Sequence, residues 1–341
     1  MAAAGGLSIV ACSWNVGDKP GTEEAPRAEK LAWLGRAVRE ASADILILGV
    51  QEFCPEQLKE WSGSLCEALP EGFELRLAEH GDTHMALFVL ARAETVPVCA
   101  LCPMAATGGI VDTLRYDEFE GKPAGKGCVA CMLAVGSVAL CIVNAHLHHG
   151  HSGFDRRNEQ QQAIESRFAR IEALPPQAEG LPVVLIEMGD LNHRILARDH
   201  EIFLEPTKSA PEGDEAFHAE FEKLAPLCEA GRACAEIGSQ GDQLHLARTT
   251  CGLFQGFEEA PVTFNPTYKR ALPYPLPIEG GGPPLVVYDR TDKRLPGWCD
   301  RVLWKLLTPG VVVKADSYDA VEEVTWTDHR PVVATLRLKA C

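Results

Sequence analysis

Positive charge is scarce in this chain. The 32 lysines and arginines face 48 aspartates and glutamates, a formal charge of −16 over 341 residues. That balance argues against bulk binding to nucleic acid, where neutralising phosphates supplies most of the affinity. It leaves room for a local basic pocket around a small polyanion, because a cleft focuses the field of its own walls. A long apolar run is missing too. The longest uncharged stretch, Cys128–His148, is broken at Gly136-Ser137 and reads as two strands, Val129–Val135 and Val138–Val143. Met1–Gly6 lacks the basic start and apolar centre of a signal peptide. The Ala after Met1 and the terminal Cys341 do not fit the common lipidation patterns. There is no internal repeat and no low-complexity tail. A cytoplasmic monomer without a transmembrane segment is expected, and membrane contact only in passing.

Cysteine is plentiful: 13 residues, an odd number, scattered among apolar neighbours. They read as small buried apolar groups in a reducing compartment. Two Cys-x-x-Cys pairs, Cys99/Cys102 and Cys128/Cys131, imitate a zinc ribbon. Both lie in β-like runs, where positions three apart face opposite sides. Neither pair is followed by the glycine of a metal-binding turn. His148, His149 and His151 have no acidic or cysteine partner at ligand spacing, and read as a solvated loop.

The chemistry sits at strand ends. The apolar run Leu181–Met188 delivers Gly189-Asp190-Leu191-Asn192-His193-Arg194. In an extended chain, side chains two apart point the same way, so Asp190 and Asn192 are expected to face one point in space and hold a water. Five other runs end alike. Ser8–Cys12 leads to Ser13-Trp14-Asn15, and Ile45–Val50 to Gln51-Glu52. Leu140–Val143 leads to Asn144-Ala145-His146, Trp298-Cys299 to Asp300-Arg301, and Trp326-Thr327 to Asp328-His329-Arg330. Singly, Glu52 reads as a solvated loop acid and His329 as a packed histidine. Jointly they are hard oxygen ligands, a water-orienting pair and two imidazoles.

Helices are expected at Glu23–Glu40, Pro55–Leu69 and Asp155–Leu174, and over most of 195–250 outside a loop at Glu205–Glu215. Strands are expected at Leu7–Ser13, Asp44–Val50, within Phe73–Pro103, at Val302–Leu307, Val311–Lys314 and Val332–Leu338. Lys122–Gly127 reads as a turn, and residues 271–285 as an irregular loop. One site drawing on residues from Asn15 to His329 implies one domain, 5–339. Its class is α/β: two packed mixed β-sheets flanked by helices, a four-layer α-β-β-α sandwich.

Mg²⁺ takes oxygen ligands and needs only one or two carboxylates. Glu52 is the best candidate ligand, with Asn15 and Asp328 beside it. Asp190 can accept a proton from water while Asn192 holds its orientation. Asp300 can fix the His329 imidazole and favour its cation, and His146 can donate to a phosphoryl oxygen. Arg301 reads as a structural partner of Asp300.

These motifs resemble those of the inositol polyphosphate 5-phosphatases, within the endonuclease/exonuclease/phosphatase superfamily, along nearly the whole chain. Trp14-Asn15-Val16, Gln51-Glu52, Asn144-Ala145-His146-Leu147, Arg156-Arg157-Asn158 and Gly189–Arg194 are similar to its successive signatures, as are Asp242-Gln243-Leu244 and Asp328-His329-Arg330-Pro331-Val332. The superfamily motifs alone leave nuclease, sphingomyelinase and phosphatase open. Phe264–Lys269 and Arg294–Leu303, with Pro-Thr-Tyr-Lys and Trp-Cys-Asp-Arg, resemble the 5-phosphatase branch in particular. The resemblance implies Mg²⁺-dependent removal of the 5-phosphate from inositol phosphates or phosphoinositides. It implies Glu52 as metal ligand with Asn15 near it, Asp190 and Asn192 on the water, His146 and His329 on the phosphoryl group, and Asp300 behind His329. Tyr268, Lys269 and Arg294 resemble residues that read a neighbouring 4-phosphate, and Lys126 resembles a further substrate contact. His193, Glu187-Met188, Arg270, Asp292 and Gly125 depart from the family pattern. The alternatives are a nuclease of the superfamily and a catalytically inactive phosphoinositide-binding module.

Overall fold

The computed structural model describes residues 6–17, 28–81, 84–93, 98–100, 112–119, 122–169, 178–196, 215–237, 241–272, 286–291 and 294–341. Strands β1 (Leu7–Asn15), β2 (Ile45–Gln51), β3 (Phe73–Gly81) and β4 (Met85–Arg92) join β11 (Val311–Ala320) and β12 (Val332–Ala340) in a six-stranded sheet, ordered β11-β12-β1-β2-β4-β3. Strands β5 (Val98–Ala100), β7 (Lys122–Val135), β8 (Val138–His146), β9 (Val183–Asp190) and β10 (Asp300–Leu306) form the second, ordered β10-β9-β8-β7-β5, with β6 (Asp112–Phe119) also on β7. The pairs β1–β2 and β8–β9 are parallel and the others antiparallel, so both sheets are mixed.

Period-two alternation sorts each strand between two layers. Ile9 and Ala11 face the second sheet, where they meet Ile142, Ile186 and Val302 in the central core. Val10, Cys12 and Trp14 face outward onto helices α1 (Ala32–Glu40) and α2 (Leu58–Ala68), against Trp33, Leu34, Val38, Trp61 and Leu65. The outer face of the second sheet is covered by α3 (Phe154–Phe168), through Phe154, Ile164 and Phe168, and by α6 (Gln243–Thr250). Helices α4 (Glu215–Glu229) and α5 (Ala233–Glu236) add Phe221, Leu224 and Ala233 to the central core. This is the expected four-layer sandwich. Cys128 and Cys131 point to opposite layers, as alternation requires; Cys102 lies outside the described residues.

Two glycines bring the sheets and strands close enough for a site. A Cβ on Gly49 would stand 2.8 Å from the Asn144 amide. In the space left free, Asn144 crosses between sheets: its Nδ2 donates to the Val50 and Ala86 carbonyls at 3.0 and 2.9 Å, and its Oδ1 accepts from Gln51 Nε2 at 2.6 Å. A Cβ on Gly189 would fall 1.9 Å from the Ala145 carbonyl oxygen. That approach keeps β8 and β9 in register to their ends, with His146 opposite Asp190.

Some elements differ from the sequence reading. Lys122–Gly127 is not a turn but the first half of β7, paired with β6. Its glycines lack side-chain signal for a strand, and Gly125 and Gly127 take positive φ within it. β11 runs six residues beyond Lys314, because its pairing with β12 continues past a register shift at Ala315/Ser317. The first helix begins as a 3-10 turn at Ala28–Leu31, and residues 23–27 of the expected span lie outside the described residues. So do residues 82–83, 94–97, 101–103, 170–174, 197–214, 238–240 and 273–285 of the expected elements and loops, and residue 5 of the expected domain. Among the described residues no helix is long and apolar enough to cross a membrane.

Candidate active site

Strand register builds the site in two rows. Across the second sheet, His146, Asp190 and Asp300 are successive cross-strand partners on β8, β9 and β10. Across the first, Asn15 pairs with Gln51, and Glu52 follows it. The end of β1 is fixed from behind by aromatic rings. Trp14 meets Trp33, Trp61 and Trp326 edge to face at 5.8, 6.0 and 4.6 Å.

Asn15 joins the rows. Its Nδ2 donates to Glu52 Oε1 at 3.1 Å and to Asp190 Oδ2 at 3.0 Å, while its Oδ1 accepts from the Gly17 amide. Asn15 therefore spaces two carboxylates that would otherwise repel. Glu52 has φ of 54°, which swings its side chain out of the strand direction and leaves it 47% exposed. Burial alone would raise its pKa, but His146, Lys126 and the Asn15 amide outweigh that and hold it below the ordinary range. It is an open, ionised oxygen donor, and with Asp190 close by the donor set fits a hard divalent cation. Asp328 is half-buried beside Gly17.

Asp190 is the hub. Its Oδ2 lies 3.3 Å from His146 Nε2 and 3.8 Å from His329 Nε2, and its Oδ1 accepts the Asn192 amide at 3.1 Å. Burial pushes its pKa up, yet His329, His146 and Lys126 together hold it well below the usual carboxylate range. The two imidazoles differ. Burial and the adjacent Lys126 ammonium keep His146 below its ordinary value. His329 is also buried, but Asp300 and Asp190 raise it to about 9, so it carries a proton at neutral pH. Its Nδ1 donates to Asp300 Oδ2 at 2.8 Å, and that oxygen also accepts from Thr267 Oγ1 at 2.6 Å. Among the described residues, Asp190, Asp300 and His329 are the group whose ligand-type atoms lie within 4.8 Å of one another. With His329 already bonded to Asp300, they form a proton-sharing cluster rather than a cation cage.

Asn192 is not in extended backbone; its φ is 55°. The chain leaves β9 at Asp190, so spacing of two is not what aims this amide. Its Nδ2 donates to the Leu147 carbonyl at 3.1 Å, and Arg194 Nη2 donates to its Oδ1 at 2.7 Å. Arg194 then lies over the Tyr268 ring at 4.3 Å, and Tyr268 lies 4.6 Å from the His329 ring. Lys126 meets His146 Nε2 directly. Lys269 is paired with Asp289 at 2.9 Å. Arg294 is half-buried, and its charge acts on Tyr268 and His149.

A family model described as endonuclease/exonuclease/phosphatase family 2 matches residues 12–335. The chain belongs to that family. It is 27% identical over 363 residues to the human phosphatidylinositol 4,5-bisphosphate 5-phosphatase A, covering 98% of this chain and 31% of that protein. The chain spans less than a third of the length of the first curated relatives it matches. Its fold is similar to the inositol polyphosphate 5-phosphatase domain of SPsynaptojanin, solved with inositol (1,4)-bisphosphate and a calcium ion (TM-score 0.64, 21% identity, 98% of this chain and 85% of that one). It is similar as well to a Cimex nitrophorin solved as a ferrous NO complex (TM-score 0.60, 19% identity, 99% and 100%). A family fold thus spans different chemistries, and the side chains must decide.

Several family-motif residues hold the site rather than enter it. Arg301 binds Glu259 through two nitrogens at 2.6 and 2.7 Å and also contacts Asp242, which caps α6. Its partners are therefore Glu259 and Asp242 rather than the expected Asp300. Arg157 donates to the His148 and Gly150 carbonyls and to Gln243. Arg270, fully buried, bonds Glu322 and lies over Tyr288. His193 is buried edge-on to Phe254 at 6.2 Å, and its ring nitrogens have no hydrogen-bond partner among the described residues; burial and Arg157 keep it neutral. His151 is buried against the Ile195 carbonyl, while His148 and His149 stack at 5.0 Å, so they are not one solvated loop. Asp292 lies outside the described residues. Sequence reasoning gave no role to Thr267 or Arg194. Both had a signal: Arg194 stands two residues past Asn192, and Thr267 is the Thr of Pro-Thr-Tyr-Lys, although nothing in the spacing tied it to Asp300, 33 residues away.

Proposed function

We propose that this chain is a divalent-metal-dependent phosphomonoesterase that removes the 5-phosphate of phosphoinositides or soluble inositol polyphosphates. One observation carries the reading. Asn15, His146 and His329, from three distant segments, converge on Asp190 Oδ2 within 3.8 Å, with Glu52 open beside them. Donors and cations clustered around a low-pKa carboxylate suit water attack on a phosphate. Asp190 orients the water and accepts its proton, and Asn192, tied down by Arg194 and Leu147, shapes the same face. The His329 cation stabilises charge on the phosphoryl oxygens, and Asp300 with Thr267 keeps it protonated and aimed. His146 and Lys126 donate to the phosphate from the other side. Glu52, with Asn15 and Asp328 around it, would hold a Mg²⁺ ion, which would supply further neutralisation of the phosphoryl charge. No covalent enzyme intermediate is needed.

Tyr268, Lys269 and Arg294 are the ring-side residues of this reading, and the names of the relatives support an inositol phosphate as substrate. A planar Arg fork, an ammonium and a phenol suit a phosphate dianion. Free thiols such as Cys12, Cys128 and Cys141 suit a reducing compartment, here the cytoplasm. The test is phosphate release by the pure protein from inositol 1,4,5-trisphosphate and from a dioctanoyl phosphoinositide. Release that stops with EDTA and returns with Mg²⁺ supports the proposal. Nicking of plasmid DNA points instead to a nuclease, and headgroup binding without phosphate release to an inactive binding module.

A further inference from the structure

Three histidines follow β8, and they sit differently. His151 is buried on the Ile195 carbonyl, whereas His149 is exposed and carries the His148 ring stacked on it at 5.0 Å. The loop under His149 is bonded at every step. It leaves from Leu147, whose amide donates to the Asp190 carbonyl at 3.0 Å and whose own carbonyl accepts from Asn192 Nδ2 at 3.1 Å. Helix α3 pins the next turn. Gln160 Oε1 accepts from the His148 amide at 2.7 Å, and Arg157 donates to the His148 and Gly150 carbonyls at 2.9 and 2.6 Å. Leu147 and His148 thus connect His149 directly to Asp190 and Asn192.

The charges that act most on His149 all push it the same way. They are the Lys126 ammonium from β7, the His148 ring beside it, Arg294 from the segment before β10, and Arg194 from the segment after β9. Three of these side chains are themselves tied to the site. Lys126 meets His146 Nε2, with the Asp190 and Glu52 charges acting on it from behind. Arg194 bonds Asn192 Oδ1 at 2.7 Å and lies over the Tyr268 ring. The Arg294 charge acts on Tyr268, which lies 4.6 Å from the His329 ring. Partly stripped of water and crowded by these cations, the His149 imidazole is pushed down to about 4, so it is neutral beside an empty site.

A phosphate group entering among these cations reverses the field. Its negative charge offsets Lys126, Arg194 and Arg294, and the imidazole can then take a proton and donate to a phosphate oxygen. We propose that His149 is a specificity-determining residue: it becomes a cation only against the anionic charge of the substrate, bonds a phosphate other than the scissile one, and so favours the more highly phosphorylated substrate at mildly acid pH. This rests on the 5-phosphatase reading, which supplies a ring with further phosphates next to the scissile one.

Inositol 1,4-bisphosphate, the product of that reaction on inositol 1,4,5-trisphosphate, keeps the other phosphates and cannot turn over. Calorimetric titration with Mg²⁺ present at about pH 6, in two buffers of different ionisation heat, counts the protons taken up on binding. His149→Gln is expected to take up about half a proton fewer than wild type and to bind roughly three- to tenfold more weakly. At about pH 8 the two should bind within about twofold of each other. His149→Lys, charged throughout, is expected to bind at the higher pH as tightly as wild type does at the lower. Equal proton counts for wild type and His149→Gln overturn the proposal, because a merely structural histidine weakens binding without changing the count. An equal loss of affinity at both pH values overturns it too. Phosphate release from inositol 1,4,5-trisphosphate is measured alongside. Its absence removes the 5-phosphatase reading and this inference with it; release with equal proton counts removes only the inference.

Discussion

Asp300 Oδ2 holds His329 Nδ1 at 2.8 Å and Thr267 Oγ1 at 2.6 Å, which leaves the other face of the imidazole directed at Asp190. The pair sets the protonation state of the site. The His329 pKa is lifted from 6.5 to about 9. The proton is therefore bound more tightly in the folded state. The stability it brings is complete below 6.5 and is lost as pH rises through about 9. In the proposed mechanism the basic limb of kcat/KM falls near the same value. Asp300→Asn removes the charge that holds the cation, so that limb should move down toward the ordinary imidazole range. A pH–rate profile reads it; an unmoved limb means the His329 cation is not what the reaction requires.

Glu187 tests a buried acid on the far side of β9. It is fully buried and takes one hydrogen bond from Gln161 Nε2 at 3.2 Å, and its other oxygen has no partner among the described residues. Burial and Glu165 raise it from 4.5 to about 8. The fold favours the neutral acid, so this stability is complete below 4.5 and is lost as pH rises through about 8. Glu187→Gln is neutral at every pH and should stabilise by roughly 2–4 kcal/mol at alkaline pH and by little at acid pH. Urea unfolding at two pH values measures this, and an equal effect at both contradicts it.

Gly49→Ala should unlock the sheets. The added Cβ would press on the Asn144 amide, which makes three inter-sheet hydrogen bonds. A loss of about 2–4 kcal/mol is expected from overpacking and stranded polar groups, with His146 displaced and turnover lowered as well. Chemical denaturation gives the value; an unaltered midpoint shows that Asn144 is not a tie.

Arg194→Lys keeps the charge but loses the planar fork that bonds Asn192 and covers Tyr268. A ten- to hundredfold fall in kcat is expected, on the order of one positioning hydrogen bond to a charged group, with a smaller change in KM. Steady-state kinetics separate the two. A rise confined to KM would place Arg194 in substrate binding alone.

Much of this was legible in the sequence because strand patterning is local. Continuous apolar runs placed β1, β2, β8 and β9, and the polar residues at their ends marked the site before any register was known. What escaped was conformation and long-range pairing. Glu52 and Asn192 both adopt positive φ, which no spacing rule encodes for non-glycine residues. Glycines at 125 and 127 hid the start of β7 by breaking its hydrophobic pattern. Arg301 sits beside Asp300 in sequence but turns away to Asp242 and Glu259, because adjacent strand residues face opposite sides. The Lys269–Asp289 pair depends on two segments 20 residues apart meeting edge to edge.

The central claim is tested most directly at Asp190. Its replacement by Ala removes the carboxylate on which Asn15, His146 and His329 converge. Phosphate release from inositol 1,4,5-trisphosphate with Mg²⁺ should fall by about three orders of magnitude or more, with the thermal midpoint kept close to wild type. A folded Asp190→Ala protein that turns over at near-normal rate would show that this carboxylate does not handle the water.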